Sequence, residues 1–490
     1  MTRRILAAII FLSCWNLLFS QQNIEWRTDT YAGINSIYLN PSFSSQYPLK
    51  WDLNLAGLGF LIDNNYAYFR AASNLDFIKR RNDLEFQFAP DLNEGIIQPN
   101  PNALVLDFFR GEEGRFATTN QRIEGPSFLF RLNEEHSVGF FTGFRNMFST
   151  QNVPGAFSYY TYDPFPLYTA FEVDKMDGAL MNWAEYGLHY SYKTALADGN
   201  LSMGINLKLL KGYEAAFFNI EQGFNFTKLP NDSIRGDQAS IAFGLTKSAL
   251  EQQQNYSPTA NGTGFGMSLG LNYTADAYDG DKPYAYRIGF SLLDFGAIGF
   301  SQNAESHFMS TNNPVDVTSR DYRGLNAQED MDEMIRVFSY QVLGDSTASK
   351  IGNKFNVWLP GAISLQADYA FTSFLFASAA IIQRLPVGDV KIRRDNYVNL
   401  TPRFESRWFG AGIPVSIYNY DKVKIGATVR LGYLVLGTEN LRSWITKAPY
   451  SGTDFYIALK VNPFNLGWDG IGGNHGLKRK RGKVKCYDFN

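Results

Sequence analysis

Leu201-Ser202-Met203-Gly204-Ile205-Asn206-Leu207-Lys208-Leu209 decides the reading of this chain. Every odd position is leucine, methionine or isoleucine, and every even position is small or polar. Successive side chains of an extended backbone point to opposite faces, so this is a strand with one apolar face and one polar face. The preceding stretch mirrors it. Tyr186, Leu188, Tyr190 and Tyr192 share one face, while Glu185, Gly187, His189, Ser191 and Lys193 share the other. Ala197-Asp198-Gly199-Asn200 turns the chain between the two.

The hairpin recurs outward from there. Phe265, Met267, Leu269, Leu271 and Tyr273 alternate with Gly266, Ser268, Gly270 and Asn272. Val423, Ile425, Ala427, Val429, Leu431 and Tyr433 alternate with Lys424, Gly426, Thr428, Arg430 and Gly432. Short turns are expected at 133–136, 197–200, 278–282, 371–373 and 420–422. Long connections are expected at 151–182, 228–261, 301–354, 385–399 and 438–453. A soluble antiparallel sandwich would also alternate. Three features favour a transmembrane barrel: large aromatics at the ends of the apolar face, a polar face rich in Gly and Ser, and turns alternating between short and long. The expected fold is all-β, a transmembrane antiparallel β-barrel of about 14 strands with long outer loops. Its second and third strands are expected near Tyr66–Phe69 and Ala103–Phe109. Within one outer loop, Met331, Met334, Ile335, Phe338 and Val342 recur at helical spacing and predict a helix over 328–343.

Composition agrees. Aromatic residues make up 16% of the chain, with 40 Phe and 28 Tyr, beside 43 Gly and only 19% charged residues. Export is read from the first residues. Arg3 and Arg4 precede the apolar stretch from Ile5 to Phe19, and small Ser20 precedes polar Gln21-Gln22. That order is a secretory signal peptide with cleavage near Ser20. Twin-arginine export and a lipoprotein site at Cys14 are rival readings of the same stretch, weakened because the apolar run continues past Cys14. Beyond it no apolar run reaches the roughly 20 residues that a spanning helix needs. The expected location is the outer membrane of a Gram-negative bacterium, with both termini periplasmic. Losing Arg3 and Arg4 takes the net charge from -2 to -4, so nothing argues for nucleic acid. Cys486 is then the one remaining cysteine and has no partner for an intrachain disulfide.

Three stretches carry a resemblance. Gly33-Ile34-Asn35-Ser36-Ile37-Tyr38-Leu39-Asn40-Pro41-Ser42 resembles the Asn-Pro-Ala segment of barrels similar to FadL and to PorV of type IX secretion, with Ser42 in place of alanine. Leu436-Gly437-Thr438-Glu439-Asn440-Leu441, followed by Gly452-Thr453-Asp454-Phe455-Tyr456-Ile457, is similar to the end of PorP/SprF-like and related uncharacterised barrels of Bacteroidota. Leu359-Pro360 before a strand fits the same group. The resemblance implies an N-terminal segment folded into the lumen as a plug, held near Asn40 and Pro41. It brings no substrate. FadL-like members move hydrophobic compounds, whereas PorV-like and PorP-like members serve secretion or gliding machinery. The expected organisation is a signal peptide at 1–20, a plug at 21–49, the barrel at 50–464 and a basic periplasmic tail at 465–490.

Catalytic chemistry has little to stand on. Of four histidines, only His189 sits on a clear strand, flanked on its face by Glu185 and Lys193. An acid–base cluster is the sharp reading and a hydrogen-bonded lumen network the bland one, and no serine-nucleophile motif accompanies the histidine. No metal-ligand spacing or glycine-rich phosphate loop appears, so no enzyme activity and no cofactor are expected. The inward charges Arg145, Glu185, Lys193, Lys208, Asp368, Lys424, Arg430 and Lys460 carry both signs, which suits a cross-bridged lumen closed at rest. Lys478, Arg479, Lys480, Arg481, Lys483 and Lys485 would give the tail a contact surface for an acidic partner or the lumen mouth. The expected partners are outer-membrane lipid and periplasmic or outer-membrane proteins. Two functions stay open: a structural or docking component of an envelope or secretion-related complex, and a transporter or channel for hydrophobic or small solutes.

Overall fold

The 201–209 stretch lies in the middle of a closed wall. The computed structural model describes residues 24–463 except 94, 96, 112–113, 156–166, 169, 231–232, 248–258, 278–281 and 326–329. Fourteen antiparallel strands follow one another around the ring. The first seven are β1 (Trp51–Asn64), β2 (Arg115–Glu124, then Ser127–Arg131), β3 (His136–Val153), β4 (Met176–Leu196), β5 (Gly199–Ile220), β6 (Ala239–Thr246, then Gly262–Ala275) and β7 (Tyr286–Phe300, then Ala304–Thr311). Next come β8 (Lys350–Gly352, Phe355–Trp358 and Ala362–Ala370), β9 (Leu375–Arg384) and β10 (Tyr397–Glu405). The last four are β11 (Phe409–Gly412, then Val415–Tyr418), β12 (Lys422–Ile425, then Ala427–Leu431), β13 (Leu434–Thr438) and β14 (Gly452–Val461). β14 pairs with β13 on one side and with β1 on the other, from Leu53↔Val461 to Asp63↔Gly452, so the ring closes. Closure leaves no unpaired edge, the condition for a sheet to stand in lipid.

The two faces obey the alternation. Leu207, Leu209, Leu271 and Ile288 point outward and are exposed, with Leu188 at 64% and Phe265 at 74% of their full surface. Ser202, Asn206, Lys208 and Asn272 point inward and are buried. A continuous apolar exterior around a polar interior is the inverse of a soluble protein and is the surface that lipid covers. β4 and β5 run 21 and 22 residues. At about 3.3 Å per residue and a tilt near 40°, they rise well past the roughly 25 Å apolar band and stand out of it at the long-loop end.

Three expectations are corrected. Ala67–Ala72 and Leu104–Phe108 are not wall strands. They pair with each other and join Phe86–Phe88 and Ala448–Tyr450 in a separate four-stranded sheet at the long-loop end. That sheet packs Phe69 against Phe77, Phe86 and Tyr450, so its period-two pattern serves a local core rather than lipid. The sequence pattern also gave two strands between 399 and 438, where the wall has four, because 406–408 and 432–433 reverse the chain with very short turns. Consequently the 420–422 turn lies at the long-loop end rather than the short-turn end. The helix expected in the outer loop is present as Met331–Leu343 and ends on Gly344 in the left-handed conformation that favours glycine.

Inside the ring lies the chain before β1. A helical turn at Ile24–Arg27 leads into two 3-10 turns, Gly33–Tyr38 and Pro41–Gln46, and all of the second but Gln46 is buried. Asn40 starts that turn. Its backbone is extended, its side chain accepts from Ser42 N at 2.9 Å, and Pro41 follows at the first helical position, where a missing N–H costs nothing.

Candidate functional site: the lumen and the segment inside it

The inner segment is bound to the wall on all sides. Arg27 pairs with Glu124 of β2 at 2.8 Å, and Asp29 pairs with Arg430 of β12 at 3.0 Å. Ile34 N donates to Asp52 of β1 at 2.8 Å. Lys460 of β14 pairs with the same Asp52 at 3.1 Å and donates to the carbonyls of Tyr31 and Ala32 at 2.9 and 2.6 Å. Asn206 of β5 donates to Ile37 O at 3.1 Å, and Ser291 of β7 donates to Leu39 O at 2.8 Å. Asn40 Nδ2 reaches Leu271 O, Phe290 O and Gln366 Oε1 at 3.1, 3.2 and 2.9 Å. Pro41 rests on Gly204, where a Cβ would lie 2.3 Å from the Pro41 carbonyl carbon. Arg131 donates to Tyr47 O at 2.8 Å, which fixes the exit of the segment.

Beyond this layer the inward charges gather into separate groups. The largest joins Arg145 to Glu185 at 3.1 Å and to Asp294 at 2.9 Å; Lys208 also pairs with Asp294 and lies 3.6 Å from Glu185. Arg394 arrives from the 385–396 loop to meet Asp294 at 2.5 Å. Arg122 lies 3.8 Å from Glu185 and places its guanidinium 3.6 Å from the Tyr38 ring centre. A second group centres on Asp368, which accepts from Arg287 and Arg403. Arg287 also donates to Thr28 O of the inner segment at 2.7 Å. In a third, Asp63 pairs with Lys422 at 2.8 Å and Lys424 at 3.1 Å. Such pairs, all but Lys422 buried and most of them multiply bonded, hold a geometry in place rather than attract passing ions.

Of the expected lumen residues, Arg145, Glu185 and Lys208 share one group. Asp368, Lys424, Arg430 and Lys460 each belong to a different one. Lys193 makes no ion pair among the described residues and is only partly buried. His189 is not brought to Glu185. Its Nδ1 lies 2.7 Å from Asn206 Oδ1 and its Nε2 lies 2.6 Å from Ser44 Oγ. Asn206 uses its amide N–H on Ile37 O, so its oxygen faces the ring, His189 Nδ1 donates, and Nε2 accepts from Ser44. The order hydroxyl–imidazole–amide resembles a nucleophile relay, but Ser44 is wholly buried and its hydroxyl is shared with Ser191 at 2.8 Å and Pro41 O at 3.1 Å. The contact therefore serves as an anchor for the inner segment. The tail residues Lys478, Arg479, Lys480, Arg481, Lys483 and Lys485, like the expected signal peptide at 1–20, lie outside the described residues.

Several site residues escaped the sequence pattern. Asp294 sits at a bulge opposite Met267–Leu269 with φ +50°, so both Leu293 and Asp294 are buried and the alternation skips a step. Arg394 comes from a loop, where alternation gives no face. Asp52 did carry a signal, since it lies between the apolar Trp51 and Leu53 of the opposite face of β1.

Toward the long-loop end the lumen changes character. Met147, Met181, Trp183, Leu210, Phe300 and Phe355 pack together there, with Ile392 of the inward 385–396 loop among them. Arg393 of that loop pairs with Asp177 at 2.8 Å. The passage is thus filled twice, by the N-terminal segment and by this loop over an apolar cluster.

Residues 41–439 match the family model described as "Family of unknown function (DUF5723)". No curated protein matches the chain. Among solved structures, the Ralstonia pickettii toluene transporter TbuX is similar over 91% of this chain and 99% of that one, at 10% identity and a TM-score of 0.38. The Pseudomonas putida toluene transporter TodX is similar over 90% and 99%, at 10% identity and a TM-score of 0.37. A TodX mutant described as a monoaromatic hydrocarbon channel covers 88% of this chain and 95% of its own, at 10% identity and a TM-score of 0.40. These likenesses assign no substrate to this chain.

Proposed function

The chain belongs to DUF5723, a family of unknown function, and on that footing we propose that it is an outer-membrane β-barrel held shut by its own N-terminal segment. In this reading it serves as a structural or docking component of an envelope or secretion-related complex. The observation that carries it is the ring of contacts from Arg27, Asp29, Ile34, Asn40 and Ser44 to β2, β12, β1, β7 and β4. A segment tied to the wall on every side closes the lumen permanently unless many buried bonds break together. The apolar exterior of a closed wall and the expected signal peptide support the outer membrane as its site. In the same reading both termini are periplasmic, and the basic tail at 465–490 offers the surface for an acidic partner. Affinity capture from detergent-solubilised native membranes tests this. A stoichiometric protein partner, with no channel activity for the purified barrel in planar bilayers, is the expected result. A purified monomer that conducts ions or takes up hydrophobic solute overturns it.

A second reading, transport of hydrophobic solutes, is favoured by the apolar cluster around Trp183, Phe300 and Phe355 within the long-loop half of the lumen. It requires the 385–396 loop to leave that half. Uptake of a labelled aromatic hydrocarbon by cells, rising when Arg394→Ala and Arg393→Ala free the loop, is its expected signature.

A further inference from the structure

Two short helices stand outside the wall at the long-loop end: α1 (Asn74–Lys79) and α2 (Arg442–Ile445). Neither is long enough to fold by itself. They are held as one unit by Asn74, whose amide donates to Ser443 Oγ at 3.3 Å and to Thr453 Oγ1 of β14 at 2.7 Å. Tyr450 donates to the same Asn74 side chain at 2.6 Å.

Their height on the wall follows from β14. Phe455, Ile457 and Leu459 lie on its outward face, and Phe455 meets Phe60 of β1 at 6.3 Å. Trp444 of α2 stands edge-on to Phe455 at 5.9 Å and 86°, and its indole N–H donates to Asp454 O at 3.2 Å. Trp444 is therefore at the upper end of the apolar belt, where aromatic rings mark the boundary between hydrocarbon and headgroups.

At that level the pair exposes Leu75, Ile78 and Ile445, at 45%, 50% and 69% of their full surface. Lys79 follows Leu75 by one helical turn and shares its face. Lys79, Arg81 and Arg442 are exposed and have no acidic partner among the described residues, whereas Lys447 pairs with Asp76 at 3.1 Å. Asp83 is the exposed acid nearest in sequence to Arg81. Exposed apolar side chains on the helix pair that carries Trp444 to the end of the lipid-facing belt, rimmed by free cations, match the boundary of a leaflet whose headgroups carry phosphate.

We propose that α1 and α2 form a lipid site: Leu75, Ile78 and Ile445 enter the leaflet at the long-loop end, and Lys79, Arg81 and Arg442 bind headgroup phosphates. The proposal rests on the membrane reading above. Native mass spectrometry of the detergent-solubilised full chain, titrated with lipid A, phosphatidylglycerol or phosphatidylcholine, tests it. The wild type should retain the phosphate-rich lipid A most strongly. The triple variant Lys79→Ser, Arg81→Ser, Arg442→Ser should need roughly ten- to hundredfold more lipid A for equal retention, with phosphatidylcholine binding unchanged. Equal lipid A retention by a triple variant that still inserts normally overturns the lipid site and leaves the membrane reading intact. Failure of the wild type to insert into liposomes at all would instead remove the membrane reading. A protein captured by the wild type and lost from the triple variant, with lipid retention unchanged, would assign the patch to that protein and overturn the proposal. A second variant, Leu75→Ser, Ile78→Ser, Ile445→Ser, should lower retention of all three lipids and so separates apolar insertion from charge.

Discussion

Asn40 and Gly270 fit each other closely: a Cβ placed on Gly270 would lie 2.1 Å from Asn40 Oδ1. The β6 strand is bare of side chain at the point where the amide of the inner segment crosses it. Through that gap Asn40 reaches the carbonyls of Leu271 and Phe290, one on each of two paired strands.

The fit makes both residues sensitive in opposite ways. Gly270→Ala should push the segment away from β6, and Asn40→Ala should remove the amide N–H groups shared among Leu271 O, Phe290 O and Gln366 Oε1 while leaving room. At about 1 kcal/mol per neutral hydrogen bond, and with two N–H groups shared among three acceptors, Asn40→Ala should loosen the segment by roughly 2 kcal/mol without unfolding the wall. Limited proteolysis of folded protein in detergent is the check, with faster cleavage between residues 24 and 47 expected in both variants.

Neighbouring positions on β5 should behave differently. Leu207 is half-exposed on the lipid face, so Leu207→Arg should impair insertion by about 2–4 kcal/mol near the bilayer midplane. Asn206 is buried against Ile37 and His189, so Asn206→Ala should spare insertion and weaken only the hold on the inner segment. The comparison is read by folding yield into liposomes beside the proteolysis rate of the inserted protein.

Asp294 gathers Arg145, Lys208 and Arg394. Removing the carboxylate leaves buried cations short of a partner, a loss of about 3–5 kcal/mol. Asp294→Ala should therefore lower the unfolding temperature of the barrel sharply. Asp177→Ala, which removes a partly exposed pair with Arg393, should have a much smaller effect.

The wall is complete at Val461, where β14 meets Leu53 of β1. A chain ending at Phe464 should still insert and stay folded in detergent. Its degradation before reaching the membrane would show that the basic tail takes part in assembly.

What the sequence showed and what it hid divide along physical lines. Strand faces such as Leu201–Leu209 were legible because lipid outside and a polar lumen inside impose a strict period of two. The stretch that carries Asn40 and Pro41 was singled out by its resemblance to other barrels, since its two short turns leave no period to read. The expected strand number was reached through two errors that cancelled. Tyr66–Phe69 and Ala103–Phe109 alternate for a loop sheet, and the turns at 406–408 and 432–433 are too short to announce themselves. Asp294 was hidden by a bulge, and Arg394 by its loop. The charge groups were therefore half visible: Arg145, Glu185, Lys208, Asp368, Lys424, Arg430 and Lys460 were read from strands, whereas the cations Arg122, Arg287 and Arg403 and the carboxylates Asp52, Asp63 and Asp294 were missed.

The inner segment is fixed inside the wall at one contact that chemistry can trap. Ser44 Oγ of the segment and Ser191 Oγ of β4 lie 2.8 Å apart. In a Cys486→Ser background, Ser44→Cys with Ser191→Cys brings two thiols together only if that arrangement holds in the membrane. Mild oxidation of intact membranes, followed by mass spectrometry of tryptic peptides, should yield a disulfide-linked pair joining residues 44 and 191 in most of the protein. Full maleimide labelling of both thiols with no linked pair, in protein that has inserted normally, would show that the segment does not occupy the lumen and would contradict the account.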